Sequence, residues 1–231
     1  MKRLLPTGER GWTLIEVAVV LAIAAIMTGV LLPRLTKARQ VTEGTRCRNN
    51  LKNVGLAFRI FATDNGGKFP MELSFTNGGT AEWLSDPQQL WRVFAALSNE
   101  LAIPILLHCR EDSERTPAAR WQSSLNAKAE PVFNSNQYLS YFLGLNARES
   151  DSSSILGGDR NLATNGSALP SSRLLITTES EPRFTPEIHQ GKGNLLFGDG
   201  HVERISDGNL TPFSRTALQH ARLSTNLWIL P

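Results

Sequence analysis

Between Arg10 and Arg34 the chain carries one formal charge, Glu16, in a run otherwise as apolar as a membrane span. Thr13 to Leu32 supplies about 20 residues, enough for a helix to cross a hydrocarbon core of about 30 Å. A carboxylate at a bilayer centre costs roughly 2.5–3.5 kcal/mol on insertion scales, so Glu16 needs a reason to be there. A cleaved secretory signal has a shorter apolar region, about 7–15 residues, and ends in a small-residue site. Here the run ends in Leu31-Leu32-Pro33-Arg34, so the span is expected to stay on the protein. Lys2, Arg3 and Arg10 precede it and Arg34, Lys37 and Arg39 follow it. The positive-inside rule therefore does not choose a topology.

The helical signal continues past the span. From Arg34 to Thr63 there is no proline, and Cys47, Leu51, Val54, Phe58 and Phe61 recur at helical steps on one face. Arg46, Arg48, Asn49, Asn50, Lys52 and Arg59 fill the other positions. A single helix from Trp12 to near Ala62 would be about 75 Å long. Pro33 lies inside it and is expected to kink it, since it removes a backbone donor and crowds the preceding turn. Asn65-Gly66-Gly67 is expected to end it. The amphipathic outer half must pack on something, and the rest of the chain, 65–231, is long enough to form a head with a core.

Asp86-Pro87, with Gln89 at the capping-box position, predicts a helix running through Leu90, Trp91, Phe94, Leu97 and Leu101. Ile103–Cys109, Tyr138–Leu145 and Arg173–Thr178 read as strands, the second with Leu139, Tyr141, Leu143 and Leu145 on one face. Asn194–Ile205 reads as a hairpin around Gly198-Asp199-Gly200. Thr211-Pro212 opens a last helix toward Arg222, and Glu149–Ser154 and Asn165–Ser172 read as polar loops. The net charge is only +3, and the basic residues form no aromatic-spaced stripe, so nucleic acid is not expected as a partner.

The stretch Gly11-Trp12-Thr13-Leu14-Ile15-Glu16, behind a short basic leader, resembles the cleavage and methylation signature of type IV prepilins and type II secretion pseudopilins. Phenylalanine is usual where this chain has Trp12. The resemblance implies cleavage between Gly11 and Trp12 by a prepilin peptidase, N-methylation of Trp12, and a proline inside the long helix, met here by Pro33. Cys47-Arg-Asn-Asn-Leu-Lys-Asn-Val-Gly-Leu-Ala-Phe looks like the continuation of the helix in pilin-like proteins that end in an H-x9-DG motif. His189 and Asp199-Gly200 have that spacing. The segment Leu73 to Arg183 is matched only loosely.

The implied fold is α+β, the pilin lollipop: a long kinked N-terminal helix laid on a small antiparallel sheet. The implied division is a leader at 1–11, a transmembrane half at 12–33, an amphipathic half at 34–64 and a head at 65–231. The implied location is a bacterial inner membrane, single-pass, with the head extracytoplasmic. The implied partners are other copies and other pilin-like subunits, the peptidase, an inner-membrane assembly platform and lipid. Glu16 then becomes the fifth mature residue, near the positive end of the helix dipole, where a neighbouring subunit's α-amine can pair with it. The bland alternative is a carboxylate shallow enough to reach the headgroups.

His189, Asp199 and His201 could be read as metal ligands or an acid–base set. Asp199-Gly200 is, however, what a tight turn requires, and the expectation is a structural turn, with no metal, no cofactor and no enzymatic activity. A weak calcium alternative draws on Asp199, Asp207 and Asn209, without a calcium-loop spacing. Cys47 and Cys109 lack zinc-site spacing. They could be buried hydrophobes or, outside the cytoplasm, one disulfide. Two function classes remain: a filament subunit that polymerises helix on helix, and a monomeric membrane-tethered envelope domain that binds a ligand or acts on a substrate. The Gly11–Glu16 signature favours the first.

Overall fold

The computed structural model describes residues 12–122, 131–165, 167–168, 173–223 and 225–231, without the side chains of 33, 35–41 and 168. The expected leader, including Gly11, and most of the expected loop at 165–172 lie outside these residues. The chain divides into two compact units, Met1–Thr42 and Glu43–Pro231. Helix α1, Leu14–Asp64, runs without interruption through Pro33 and contributes to both.

In the first unit, Leu14–Leu32 is long and apolar enough to cross a membrane, and none of it is buried. A signal sequence would pass the same test of length and composition. The Thr28 hydroxyl donates to the Ala24 carbonyl at 2.7 Å, which hides its polarity inside the helix's own surface.

The second unit opens with the remainder of α1. Cys47, Leu51, Val54, Phe58 and Phe61 are all buried, as their spacing predicts. The helix ends where Gly66 and Gly67 take φ of 67° and 79°, and the Gly67 N–H returns to the Ala62 carbonyl at 2.7 Å. Left-handed backbone of this kind satisfies the last carbonyls of a helix, and glycine adopts it without steric penalty.

The short elements that follow differ from the expected ones. The helix expected over Asp86–Leu101 contracts to α2, Trp91–Ala95, after a 3-10 turn at Pro87–Gln89. Asp86 does cap, its Oδ1 accepting from the Gln88 N–H at 3.0 Å. Gln89 Oε1, however, accepts from the Arg92 Nε–H at 2.7 Å. Asn136, from far along the chain, takes the Trp91 N–H at 2.9 Å. The strand expected over Ile103–Cys109 is instead a 3-10 turn at Pro104–Leu107. Pro104 at its first position has the fixed φ that starts a helical turn and no N–H to offer a sheet.

The strands are β1 (Arg120–Trp121), β2 (Val132–Phe133), β3 (Tyr141–Gly144), β4 (Ile155–Asp159), β5 (Leu162–Thr164), β6 (Ser167–Ala168), β7 (Arg173–Thr177), β8 (Pro182–Phe184), β9 (Gly193–Phe197), β10 (Val202–Ile205) and β11 (Thr225–Ile229). Six form a sheet in the order β10-β9-β4-β3-β11-β7, every neighbouring pair antiparallel. A three-stranded antiparallel sheet, β6-β5-β8, and a parallel pair, β1-β2, complete the set. The architecture is α+β with a mostly antiparallel sheet.

The central strands β3, β4 and β9 are buried on both faces, where the sequence pattern suggested one. Side chains alternate along each strand, so Tyr141, Leu143, Leu156, Leu196 and Ile229 join the core that includes the α1 stripe and α2. Phe142, Ile155, Leu195, Phe197 and Trp228 join a second core. That core is covered by helix α3, Thr211–His220, through Ala217 and Leu218.

Candidate functional site

The start of α1 explains how Glu16 is held. Glu16 Oε2 accepts from the Thr13 N–H at 2.8 Å and from the Thr13 hydroxyl at 2.7 Å. The Glu16 N–H donates back to Thr13 Oγ1 at 3.3 Å. This is a reciprocal capping box, Thr13 before the first turn and Glu16 three residues on. Both donors meet Oε2, and Oε1 faces no donor among the described residues. Trp12 precedes the helix with 77% of its surface exposed.

The H-x9-DG residues separate into two places. Asp199 and Gly200 lie at the β9–β10 turn, where the Gly200 N–H donates to the Phe197 carbonyl at 2.9 Å and the Phe197 N–H to the His201 carbonyl at 3.0 Å. Gly200 has φ of 85°, and neither Gly198 nor Asp199 has positive φ. The turn therefore uses a left-handed glycine at its end, as in hairpins closed by a bulge. Asp199 pairs with the His201 ring, and its carboxyl lies below the usual range. Partial burial opposes that shift but is outweighed by the hydrogen bonds and charge of His201 and the charge of Arg59. The turn lies against α1: a Cβ on Gly55 would come within 2.5 Å of Leu196 Cδ1 and 3.2 Å of the Gly200 carbonyl oxygen.

Asp207 Oδ1 accepts the Asn209 N–H at 3.1 Å, and Asn209 Oδ1 accepts the Thr211 N–H at 3.0 Å. Both side chains thus serve local turns leading into α3. Gly200→Val is expected to destabilise the head by at least about 1–2 kcal/mol, since an L-residue pays that much for left-handed backbone and a β-branched one more. Asp199→Asn should stay within about 0.5 kcal/mol of the parent. Chemical denaturation of the two variants checks both values.

His189 turns elsewhere. Cys47 on α1 and Cys109, just after the Pro104–Leu107 turn, form a disulfide with a Cα–Cα separation of 5.3 Å. Both are buried, with Ile188 beside them. His189 Nε2 lies 3.4 Å from Cys109 Sγ and 3.6 Å from Asp159 Oδ2. Its Nδ1 lies 3.0 Å from Glu111 Oε2, which also accepts the His189 N–H at 3.1 Å. The backbone is left-handed at three successive residues, His189, Gln190 and Gly191, with φ of 55°, 57° and 80°. Two of them are not glycine, and such strain persists only where the surroundings over-determine it.

Asp159 ends β4 and is fully buried. Its Oδ2 accepts both the backbone and side-chain N–H of Asn194 at 2.8 Å, whereas Oδ1 has no partner. Burial pushes the Asp159 carboxyl up, against the charge of His189 and the Asn194 hydrogen bonds. Next in the chain, Arg160 grips Asp112 with two bonds of 2.7 Å and Glu114 with a third. Burial would raise the Asp112 carboxyl, but the Arg160 hydrogen bonds and charge hold it below its ordinary value.

The residues with most chemistry, Cys47, Cys109, His189 and Asp159, thus come from four distant segments. Glu111 and Asp159 were missed in the sequence. Asp159 carried one signal, an acid closing the otherwise apolar segment Ile155 to Gly158. Comparison with protein-family models, with curated proteins and with solved structures finds no match.

Proposed function

We propose that the chain is a structural subunit of a type IV pilus-like or type II secretion pseudopilus filament. The observation that supports this reading best is the start of α1: Thr13-Leu14-Ile15-Glu16 opens an exposed, apolar helix in which the one acid is already held in the first turn. On this reading residues 1–11 are a leader, removed by a prepilin peptidase between Gly11 and Trp12, and Trp12 is then N-methylated. The span 12–33 sits in a bacterial inner membrane, Pro33 kinks the helix, and the helix is the stalk of a pilin lollipop whose head lies outside the cytoplasm.

Assembly proceeds by packing these helices against other pilin-like subunits on an inner-membrane platform, with lipid around the free subunit. Glu16 serves as the register mark. Its Oε1 receives the α-amine of a neighbouring Trp12 while Oε2 stays with Thr13, and a misregistered subunit leaves the charge unpaired. No catalytic step belongs to this role.

Mass spectrometry of the mature N-terminus tests the proposal. A chain beginning with methylated Trp12 is expected, and Gly11→Leu should accumulate the uncut precursor, because a bulky side chain obstructs the scissile bond. A mature chain beginning at Met1, or after Pro33, would overturn it.

A further inference from the structure

We propose that Cys47, Cys109 and His189 form a zinc site in the dithiol form of the protein, with Asp159 at its fourth position, and that this site and the disulfide exclude each other. The three ligand atoms already lie within 4.8 Å of one another and all three residues are buried. Tetrahedral zinc, with bonds of about 2.3 Å to sulfur and about 2.0–2.2 Å to nitrogen or oxygen, has ligand–ligand edges of about 3.4–3.8 Å. The Cys109 Sγ–His189 Nε2 distance of 3.4 Å and the His189 Nε2–Asp159 Oδ2 distance of 3.6 Å match those edges. The two sulfurs must separate, and Asp159, which lies outside the group of atoms within 4.8 Å of one another, must close on at least one of them.

The surroundings fit the same purpose. A ligating imidazole commonly turns its second nitrogen to a carboxylate, which fixes the tautomer and raises ligand basicity. Here Nδ1 lies 3.0 Å from Glu111 Oε2 without a hydrogen bond in the disulfide form, and a small turn of the ring that brings Nε2 onto the ion would complete that pairing. Asp159 Oδ1 is buried without a partner, an acceptor for the ion or for a water on it. Cys47, itself buried, lies beneath a groove lined also by Arg46, Asn50, Ile105, His108 and Arg110, the side from which an ion would approach.

A dithiol reductant transfers two electrons and two protons to the Cys47–Cys109 disulfide and is itself oxidised to a disulfide. A newly made chain needs no such step, since its thiols have not yet been oxidised. Zn²⁺ then displaces both thiol protons to solvent, and the neutral His189 Nε2 contributes its lone pair. Two thiolates cancel the charge of the ion. A disulfide oxidant that accepts two electrons from the thiolates, and takes two protons from solvent as it becomes a dithiol, re-forms the Cys47–Cys109 bond and releases Zn²⁺.

Cobalt(II) titration of the untagged full chain in detergent tests this. The phosphine-reduced, metal-free protein should take up one Co²⁺ per chain, with thiolate-to-cobalt charge-transfer and tetrahedral ligand-field bands that Zn²⁺ abolishes. The oxidised protein should show neither band. Glu111→Gln should weaken the reduced site about 10–100-fold, and His189→Ala at least as much. A reduced chain that keeps its circular dichroism but gives no thiolate–cobalt band overturns the proposal, as does equal binding by the oxidised chain. Unchanged affinity in either variant also overturns it. If reduction unfolds the head, added Zn²⁺ should refold it, and failure to do so counts equally against the site.

Discussion

Glu16→Gln should insert into membranes and fold its head like the parent chain, yet be nearly absent from sheared filaments. Glutamine keeps the length of the side chain and an amide oxygen able to accept the Thr13 N–H, so the capping box that starts α1 survives in form. What disappears is the charge. In the proposed assembly a neighbouring α-amine is then left unpaired in a poorly solvated place, and breaking a buried ion pair from one side costs about 3–5 kcal/mol. Repeated at each subunit, that loss corresponds to a factor of about 10²–10⁴ in each association step. Glu16→Ala should behave alike.

Thr13→Val is the informative control. It removes the hydroxyl that Glu16 uses, a change of about 0.5–2 kcal/mol in helix stability, but keeps the charge, and it should assemble. Equal failure of Thr13→Val and Glu16→Ala, with normal assembly of Glu16→Gln, would assign the residue to capping alone. Filament incorporation of Glu16→Gln at the parent's level would sink the assembly role altogether and leave a shallow carboxylate at the headgroups.

Features written in contiguous residues were legible in the sequence. The stripe Cys47, Leu51, Val54, Phe58 and Phe61 repeats within one helix, so its period alone places it in the core. The β9–β10 hairpin folds on itself around one glycine, although that glycine is Gly200 alone and not an Asp-Gly pair with both residues left-handed. Tyr141-Phe142-Leu143 and Gly193 to Phe197 are buried throughout. An unbroken apolar run points to a strand covered on both faces, and reading Tyr138–Leu145 as one-sided missed that second core.

Elements decided by distant partners were not legible. Asn136 intercepts the Trp91 N–H across 45 residues, and no local propensity encodes that. The cluster at His189 is the extreme case. Cys47, Cys109, Asp159 and His189 lie in a helix, a loop, a strand end and a strained turn, so spacing rules written for contiguous metal motifs pass over them.

The second large effect concerns the cross-link itself. Cys47→Ala, Cys109→Ala and the double variant should each lower the stability of the head by about 4 kcal/mol, and phosphine reduction of the parent should match them. The bond closes a loop across a sequence separation of 62. In the chain-entropy account, a loop of that size restricts the unfolded ensemble by about 4 kcal/mol at 25 °C. Each variant breaks the same bond, so the three effects should coincide and not add. Urea unfolding followed by tryptophan fluorescence measures them, and an unchanged midpoint on reduction would show that the bond contributes nothing. Zinc then separates the thiols from the cross-link. An ion that binds only the folded dithiol form adds stability as RT ln(1 + [L]/Kd), about 2.7 kcal/mol at a hundredfold excess over Kd. Added Zn²⁺ should therefore return most of the lost stability to the reduced parent. It should return none to the double alanine variant, in which both sulfur ligands are gone.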